Sequence, residues 1–250
     1  MFTNKTNDKI EQYPVLQKTI EALSLKNLSP RTVENYLCGI YRFLDFINYD
    51  NEFDITIEHF RSFLVYLNST SLTKNTINCY NSHIRFFFNA VLFKPVNPYI
   101  VPKSVFKRKE ISYLMDDQVK NLLKLTASDS RMDCIIKLGL CCGLRIDEVA
   151  SLRVCDIHTK GSDKIIHIDN SKRNKSRDIP MDNTTYCAIQ RYAKEYFIKP
   201  GTEAFFFQFR LHHKPTAQTI RNHFNEYRSK AGIGDSVTFH GLRHTYAVNF

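Results

Sequence analysis

The chain has 250 residues, of which 43% are hydrophobic and 24% are charged, a composition typical of a globular protein and unlike that of a disordered chain. No stretch approaches the ~20 apolar residues of a transmembrane helix, which excludes an integral membrane protein of that kind. The net charge of +10 predicts a polyanionic partner, although a basic surface without a partner would give the same total.

The seven cysteines and the opening segment both predict a cytoplasmic protein. No pair of cysteines has the CxxC spacing of a zinc site, and MFTNKTNDKIEQY lacks the apolar core of a signal peptide. We therefore expect reduced thiols that fill the core, with no metal ion and no membrane association.

The first half of the chain predicts helices only. The clearest covers residues 29–47, where Ser29 can serve as N-cap, Pro30 takes the first helical position and apolar residues recur at helical spacing. A similar helix follows Thr73. Shorter helices are predicted over residues 14–25 and 57–67. The pattern therefore predicts a domain of four helices over residues 1–95.

The two longer helices resemble each other, since LSPRTVENYLCGIYRF and LTKNTINCYNSHIRFF share Leu, Thr, Tyr, Ile and Phe at matched positions. Chance and the shared requirements of helix formation explain such a match as well as an internal repeat does. If it is a repeat, both helix starts would present hydroxyls, amides and a cation, Arg31 or Lys74, to phosphate oxygens of DNA.

Residues 96–112 predict an extended, basic linker. Prolines prevent a continuous helix there, and several cations crowd one short stretch. The cations that could follow a DNA backbone are Lys103, Lys107, Arg108 and Lys109. A solvated connector with no ligand is the alternative interpretation.

Residues 113–250 predict a second domain that mixes helices with a few strands. Helices are expected from Asp116 or Asp117 onward and over residues 130–142, 182–197 and 217–231. Between them, KIIHIDN and SRDIPM are typical of two short strands. The fold class predicted for the whole chain is mainly α, with a small antiparallel β-sheet in the C-terminal half.

Three segments of this second domain carry polar groups that a core does not require. In the first, GLCCGLRIDEVASLRVCDI, Arg145 begins a helix, although the helix macrodipole favours an anion at that end. The placement is explained if an anion binds between the guanidinium and the helix, with Glu148 holding the guanidinium. A surface Arg–Glu pair is the simpler alternative.

The second segment, NSKRNKSRDIP, concentrates positive charge between the two predicted strands. Its cations are Lys172, Arg173, Lys175 and Arg177. At a hairpin turn they would project toward a groove or a phosphate, whereas most basic runs of this kind are solvated loops.

The third segment, HGLRHTYAVNF, ends the sequence. His240 and Arg243 are three residues apart, so both can lie on one face of the first turn of a helix. Arginine offers a bidentate fork to phosphate, and histidine can transfer a proton near neutral pH. Leu242, Tyr246 and Phe250 recur every four residues, so Tyr246 is expected to pack in the core and not to act as a nucleophile.

In this order, GLRIDEVASL, the basic hairpin SKRNKSRDIP and HGLRHT resemble the motifs of the tyrosine recombinase (phage integrase) family. The helical first half and the basic linker resemble that family's core-binding domain. The resemblance implies a site-specific DNA recombinase that uses no metal ion and no nucleotide cofactor. It also implies that Arg145, Arg243 and His240 bind the scissile phosphate.

The resemblance assigns the remaining site residues as well. Lys172 corresponds to the hairpin lysine that protonates the departing 5′ oxygen, while Glu148 and His244 are supporting residues. The family's nucleophile is a tyrosine that forms a 3′-phosphotyrosyl bond and lies beyond the HxxR helix. Tyr246 occupies the family's usual Phe position, so we expect no nucleophile within this chain, which would bind double-stranded DNA as an inactive fragment.

A DNA-binding protein without chemistry, such as a regulator derived from a recombinase, is the alternative from another class. The absence of an evident nucleophile favours it, whereas the retained arginines, lysine and histidine argue for a recombinase ancestor. A type IB topoisomerase fits less well, because the N-terminal domain is helical. Family members assemble as tetramers on DNA, which implies a tetramer for the full-length form and a monomer for this chain.

Overall fold

The computed structural model describes residues 2–51, 54–102, 112–169, 176–209 and 214–249. Contacts divide the chain into two compact units, Met1–Arg108 and Lys109–Phe250. Each unit has its own buried apolar core. Within the described ranges, no helix combines the length and the apolar character that crossing a bilayer requires.

The described part of the first unit contains five helices. They are α1 (Asn4–Gln12), α2 (Val15–Ser24), α3 (Pro30–Phe46), α4 (Ile57–Ser69) and α5 (Lys74–Ala90). Helices α2 to α5 correspond to the predicted ones, but the prediction of four helices is wrong because it omits α1. Ile10 is the one large apolar side chain in α1, so its sequence has no apolar stripe from which a helix could be predicted.

Helices α3 and α5 begin in the same way and pack on each other. The side chains of Ser29 and Thr73 each accept a hydrogen bond from the backbone amide three residues later, at 3.3 Å, as N-caps do. The contact is close at Gly39, where a Cβ atom would collide with the ring of His83. When the two similar helices are aligned by sequence, His83 of α5 matches Gly39 of α3. The helices can pack closely because α3 has no side chain where α5 has the His83 ring.

The second unit combines helices with one small sheet. Its helices are α6 (Asp116–Thr126), α7 (Ser130–Cys141), α8 (Ile146–Ser151), α9 (Asn183–Glu195), α10 (Ala217–Lys230) and α11 (Phe239–Asn249). The strands β1 (Ile157–Lys160), β2 (Asp163–Ile168) and β3 (Arg177–Pro180) form an antiparallel sheet in the order β1–β2–β3. The predicted fold class, mainly α with a small antiparallel sheet, is confirmed. Strand β1 was not predicted, because IHTK is short and has one apolar residue.

Helix α7 lies at the centre of the second unit and sets the position of α11. Ile135, Ile136 and Leu138 are fully buried in α7, which packs against both α9 and α11. At Gly139 a Cβ atom would lie 2.8 Å from Cδ1 of Leu242, so the absence of a side chain lets α11 approach α7 closely. The segment that carries HGLRHT is therefore held directly against the core.

The seven cysteines are all free thiols, but only some of them fill the cores. Cys134 and Cys142 are buried, and burial raises the pKa of the Cys142 thiol to about 12. Cys79 and Cys187 are exposed on α5 and α9, so the prediction that the cysteines are core residues is wrong for these two. Helices α5 and α9 bury faces that do not include these two cysteines.

Candidate functional site

Arg145 is the N-cap residue of α8 and is held there by Glu148. The backbone amide of Arg145 donates to Oε2 of Glu148 and its Nη1 donates to Oε1, both at 2.8 Å. The side chain of Arg145 is 48% exposed, whereas that of Glu148 is 13% exposed. The carboxylate is thus the fixed, shielded member of the pair, and the guanidinium keeps an open side.

A second guanidinium binds the same carboxylate from another element. Nη2 of Arg177, the first residue of β3, donates to Oε2 of Glu148 at 2.8 Å. Burial on its own would raise the pKa of Glu148, but the hydrogen bonds from Arg177 and Arg145 lower it below its ordinary value. The sequence marked Arg177 only as one cation of a basic run, and nothing in its spacing indicated this contact.

Helix α11 contributes His240, Arg243 and His244 from its first two turns. The rings of His240 and His244 meet edge to face, with centroids 4.4 Å apart and an angle of 82° between their planes. Arg243 donates a hydrogen bond from Nη1 to the carbonyl oxygen of Gly143, in the turn just before Arg145. This bond joins the α11 segment to the turn that leads into α8.

The cations of these segments lie close enough to affect one another's ionisation. Desolvation lowers the pKa of His240, and the nearby charges of His244, Arg243 and Arg145 lower it further. Desolvation also lowers the pKa of Arg243, and the charge of Arg145 acts in the same direction. The two guanidiniums repel each other, and an anion bound between them would relieve that repulsion.

Two buried polar contacts hold α11 in place. The Thr245 hydroxyl accepts a hydrogen bond from the backbone amide of Leu114 at 2.9 Å and donates one to the carbonyl of Gly241 at 2.9 Å. On the other side, the buried Arg228 donates to the carbonyl oxygen of Val237 at 3.1 Å, just before α11 begins. These bonds reduce the freedom of the helix start that carries His240 and Arg243.

Tyr246 lies against the turn that binds Arg243. Gly143 has a φ of +61°, and a Cβ atom there would lie 2.6 Å from Cδ1 of the Tyr246 ring. The tyrosine is half-buried, and its hydroxyl is near enough to Arg243 to influence the pKa of the guanidinium. Leu242 of the predicted stripe is fully buried, whereas Tyr246 is only half-buried and packs its ring against the Gly143 turn.

The other predicted DNA contacts belong to the first unit or lie outside the described residues. Arg31 and Lys74 lie exposed at the starts of α3 and α5 in the first unit. The predicted residues that lie outside the described ranges are Lys103, Lys107, Arg108, Lys109, Lys172, Arg173, Lys175 and Phe250. Within the described ranges, no group of three or more His, Cys, Asp and Glu side chains is arranged to hold a metal ion.

The chain thus has a helical unit followed by a unit of helices and strands. The second unit bears a cluster of guanidinium and imidazole groups. Residues 112–250 match the phage integrase family, and residues 15–97 match the phage integrase N-terminal SAM-like domain. The chain therefore belongs to the phage integrase family of tyrosine recombinases, which are site-specific DNA recombinases.

Individual proteins of known family or structure also resemble this chain. A tyrosine recombinase of Pseudothermotoga lettingae is 26% identical over 242 residues, which cover 91% of this chain and 80% of the relative. XerH site-specific recombinase bound to difH substrate has a similar fold, with a TM-score of 0.73 at 14% identity, over 98% of this chain and 75% of that one. A lambda integrase tetramer bound to a Holliday junction gives a TM-score of 0.71 at 17% identity, over 94% and 71% of the two chains.

Proposed function

We propose that this chain binds double-stranded DNA and holds one phosphodiester between Arg145, Arg243 and His240. The observation that carries the proposal is the bond from Arg243 to the Gly143 carbonyl, which brings α11 to the turn just before Arg145. Desolvation lowers the pKa of His240 there, and both arginines are near enough for their charges to lower it further. Two guanidiniums would neutralise the added charge of a pentacoordinate phosphorane, and the imidazole would donate a hydrogen bond to one of its oxygens.

The strand exchange proposed for the full-length form follows from this site. A tyrosine hydroxyl attacks phosphorus and releases its proton to solvent, the 3′-phosphotyrosyl bond forms, and the bond from phosphorus to the 5′ oxygen breaks. Lys172 is proposed to give its proton to that departing oxygen. Reversal of the same steps with a new 5′ hydroxyl rejoins the strands, so the energy of the broken bond is kept and no cofactor need supply it.

Tyr246 is not proposed as the attacking residue. Its ring is half-buried and packs against Gly143, and it stands where the resemblance to the family places a Phe. We therefore propose that these 250 residues bind DNA without forming a covalent adduct, and that Arg31, Lys74 and the basic residues of 96–112 contact the DNA backbone. The alternative of a non-catalytic regulator would share this binding.

Binding and chemistry are tested together by incubating the chain with duplex DNA that carries a nick. We expect the chain to bind the DNA with an affinity that falls steeply as the salt concentration rises, because cation–phosphate contacts release counterions. After denaturation in SDS, no protein should remain attached to the DNA. An SDS-resistant band that Tyr246→Phe abolishes would instead make Tyr246 the nucleophile and contradict this part of the proposal.

We also propose how the protein assembles and where it acts. The lambda integrase tetramer on a Holliday junction supports a tetramer on DNA for the full-length form of this protein. This chain is proposed to be a monomer without DNA, and a stable tetramer in light scattering would contradict that. Its seven free thiols support a reducing compartment, and we propose the cytoplasm.

A further inference from the structure

Glu148 presents an electrostatic problem for the proposed phosphate site. Its carboxylate fixes the Arg145 guanidinium, but a negative charge beside a phosphate also repels the ligand. Arg145, Arg243 and Glu148 together carry a net charge of only +1. Arg177 adds a third guanidinium to the group and brings this net charge to +2.

The contact between Arg177 and Glu148 is more than an ordinary exposed ion pair. Such pairs contribute little, because both partners remain hydrated and mobile. Here the carboxylate is 13% exposed and both of its oxygens are occupied, Oε1 by Arg145 Nη1 and Oε2 by both Arg145 N and Arg177 Nη2. A shielded carboxylate that loses one of its donors is costly to keep charged, since water replaces the donor poorly.

The position of Arg177 in the fold gives the contact a structural consequence. Arg177 begins β3 and lies opposite Ile168 of β2, so its backbone is fixed by the sheet. The guanidinium then reaches from the sheet to the Glu148 carboxylate in the first turn of α8, and that carboxylate holds Arg145, the N-cap residue proposed to bind phosphate. Sheet, carboxylate and phosphate-binding arginine are thereby connected through two charge-assisted hydrogen bonds.

We infer that Arg177 is a positioning residue of this site, which keeps the Glu148 carboxylate charged and fixed so that Glu148 can aim the Arg145 guanidinium at the phosphate. The inference rests on the proposed function. It assigns Arg177 a role that its place in a basic run does not indicate, and it separates Arg177 from residues that contact the phosphate directly.

The inference is tested with the full chain by titrating orthovanadate, which mimics a pentacoordinate phosphate. Arg177→Gln should weaken vanadate binding about tenfold, the effect of losing one charge-assisted contact. Arg177→Lys, which keeps the charge, should recover most of the loss. In a chain that already carries Glu148→Gln, Arg177→Gln should reduce the free energy of vanadate binding by less than half as much as it does in the wild-type chain, because the partner of Arg177 is gone.

A spectroscopic readout separates positioning from general destabilisation. Carboxyl-carbon NMR should show Glu148 titrating below the ordinary glutamate range in the wild-type chain and at higher pH in Arg177→Gln. Arg191→Gln is the matched control, since Arg191 donates to the shielded carboxylate of Asp133 at the same distance of 2.8 Å in the same unit. That change should lower the stability of the second unit and leave vanadate affinity within about twofold.

The outcomes distinguish this inference from the function on which it rests. If Arg145→Gln and Arg243→Gln weaken vanadate binding while Arg177→Gln does not, the inference is wrong and the phosphate site remains. An equal cost of Arg177→Gln with and without Glu148 would also overturn it, because Arg177 would then act by its charge alone. If none of the three changes affects vanadate, the proposed phosphate site itself is wrong.

Discussion

Arg243→Gln is expected to weaken orthovanadate binding by about 10- to 100-fold, the range for losing a bidentate charge-assisted contact. The change removes a guanidinium from the centre of the cluster and also removes the donor of the Gly143 carbonyl. Two effects therefore add, since the ligand loses a contact and the turn before Arg145 loses a restraint. Arg145→Gln should give a loss of the same order.

Equilibrium titration of each variant measures this effect, with Lys109→Gln as the control for loss of one positive charge. Lys109 belongs to the segment that the sequence predicts to be a basic linker, so we expect its replacement to reduce vanadate affinity by no more than about twofold through the general field of the protein. Equal losses from all three variants would mean a diffuse basic surface. The account requires a focused site, in which Arg145 and Arg243 stand apart from Lys109.

Gly143→Ala is expected to destabilise the second unit more than any other glycine-to-alanine change at a positive φ. The backbone at +61° costs a residue with a Cβ about 1 kcal/mol. The new Cβ would lie 2.6 Å from the Tyr246 ring, and relief of that overlap adds about 1–3 kcal/mol. Urea unfolding should therefore show a total loss of about 2–4 kcal/mol.

Gly161→Ala is the matched control for this change. Gly161 has nearly the same φ, +63°, but a Cβ atom there would meet nothing within 4 Å. It should cost only the backbone contribution of about 1 kcal/mol. Similar losses at Gly143 and Gly161 would show that the Tyr246 contact contributes nothing, and would remove the support for Tyr246 as a packing residue.

The elements that the sequence predicted are those whose signals are local. Helices α3 and α5 have hydroxyl N-caps and apolar residues at helical spacing, and both signals act within one or two turns. Helix α1 and strand β1 lack such signals, because each has a single large apolar residue and is stabilised by contacts with other elements. Helix α1 packs on α2 and α3, and β1 is held by its pairing with β2.

The candidate site, like the fold, has features that the sequence predicted and features that it did not. The spacing of His240 and Arg243 and the turn before Arg145 were readable from the sequence, as was the proximity of Glu148 to Arg145. Arg177 was not, because it is one of several cations in KRNKSR, and the sequence alone does not show which of them binds Glu148. The bond from Arg243 to the Gly143 carbonyl spans a hundred residues and has no local signature.

A crystal structure of the chain grown with orthovanadate and duplex DNA tests the central claim most directly. We predict vanadate bound between Arg145, Arg243 and His240, within hydrogen-bonding distance of all three side chains, with Arg177 bound to Glu148 behind Arg145. Vanadate bound elsewhere on the chain, or the three side chains directed at different phosphates of the DNA, would contradict the account.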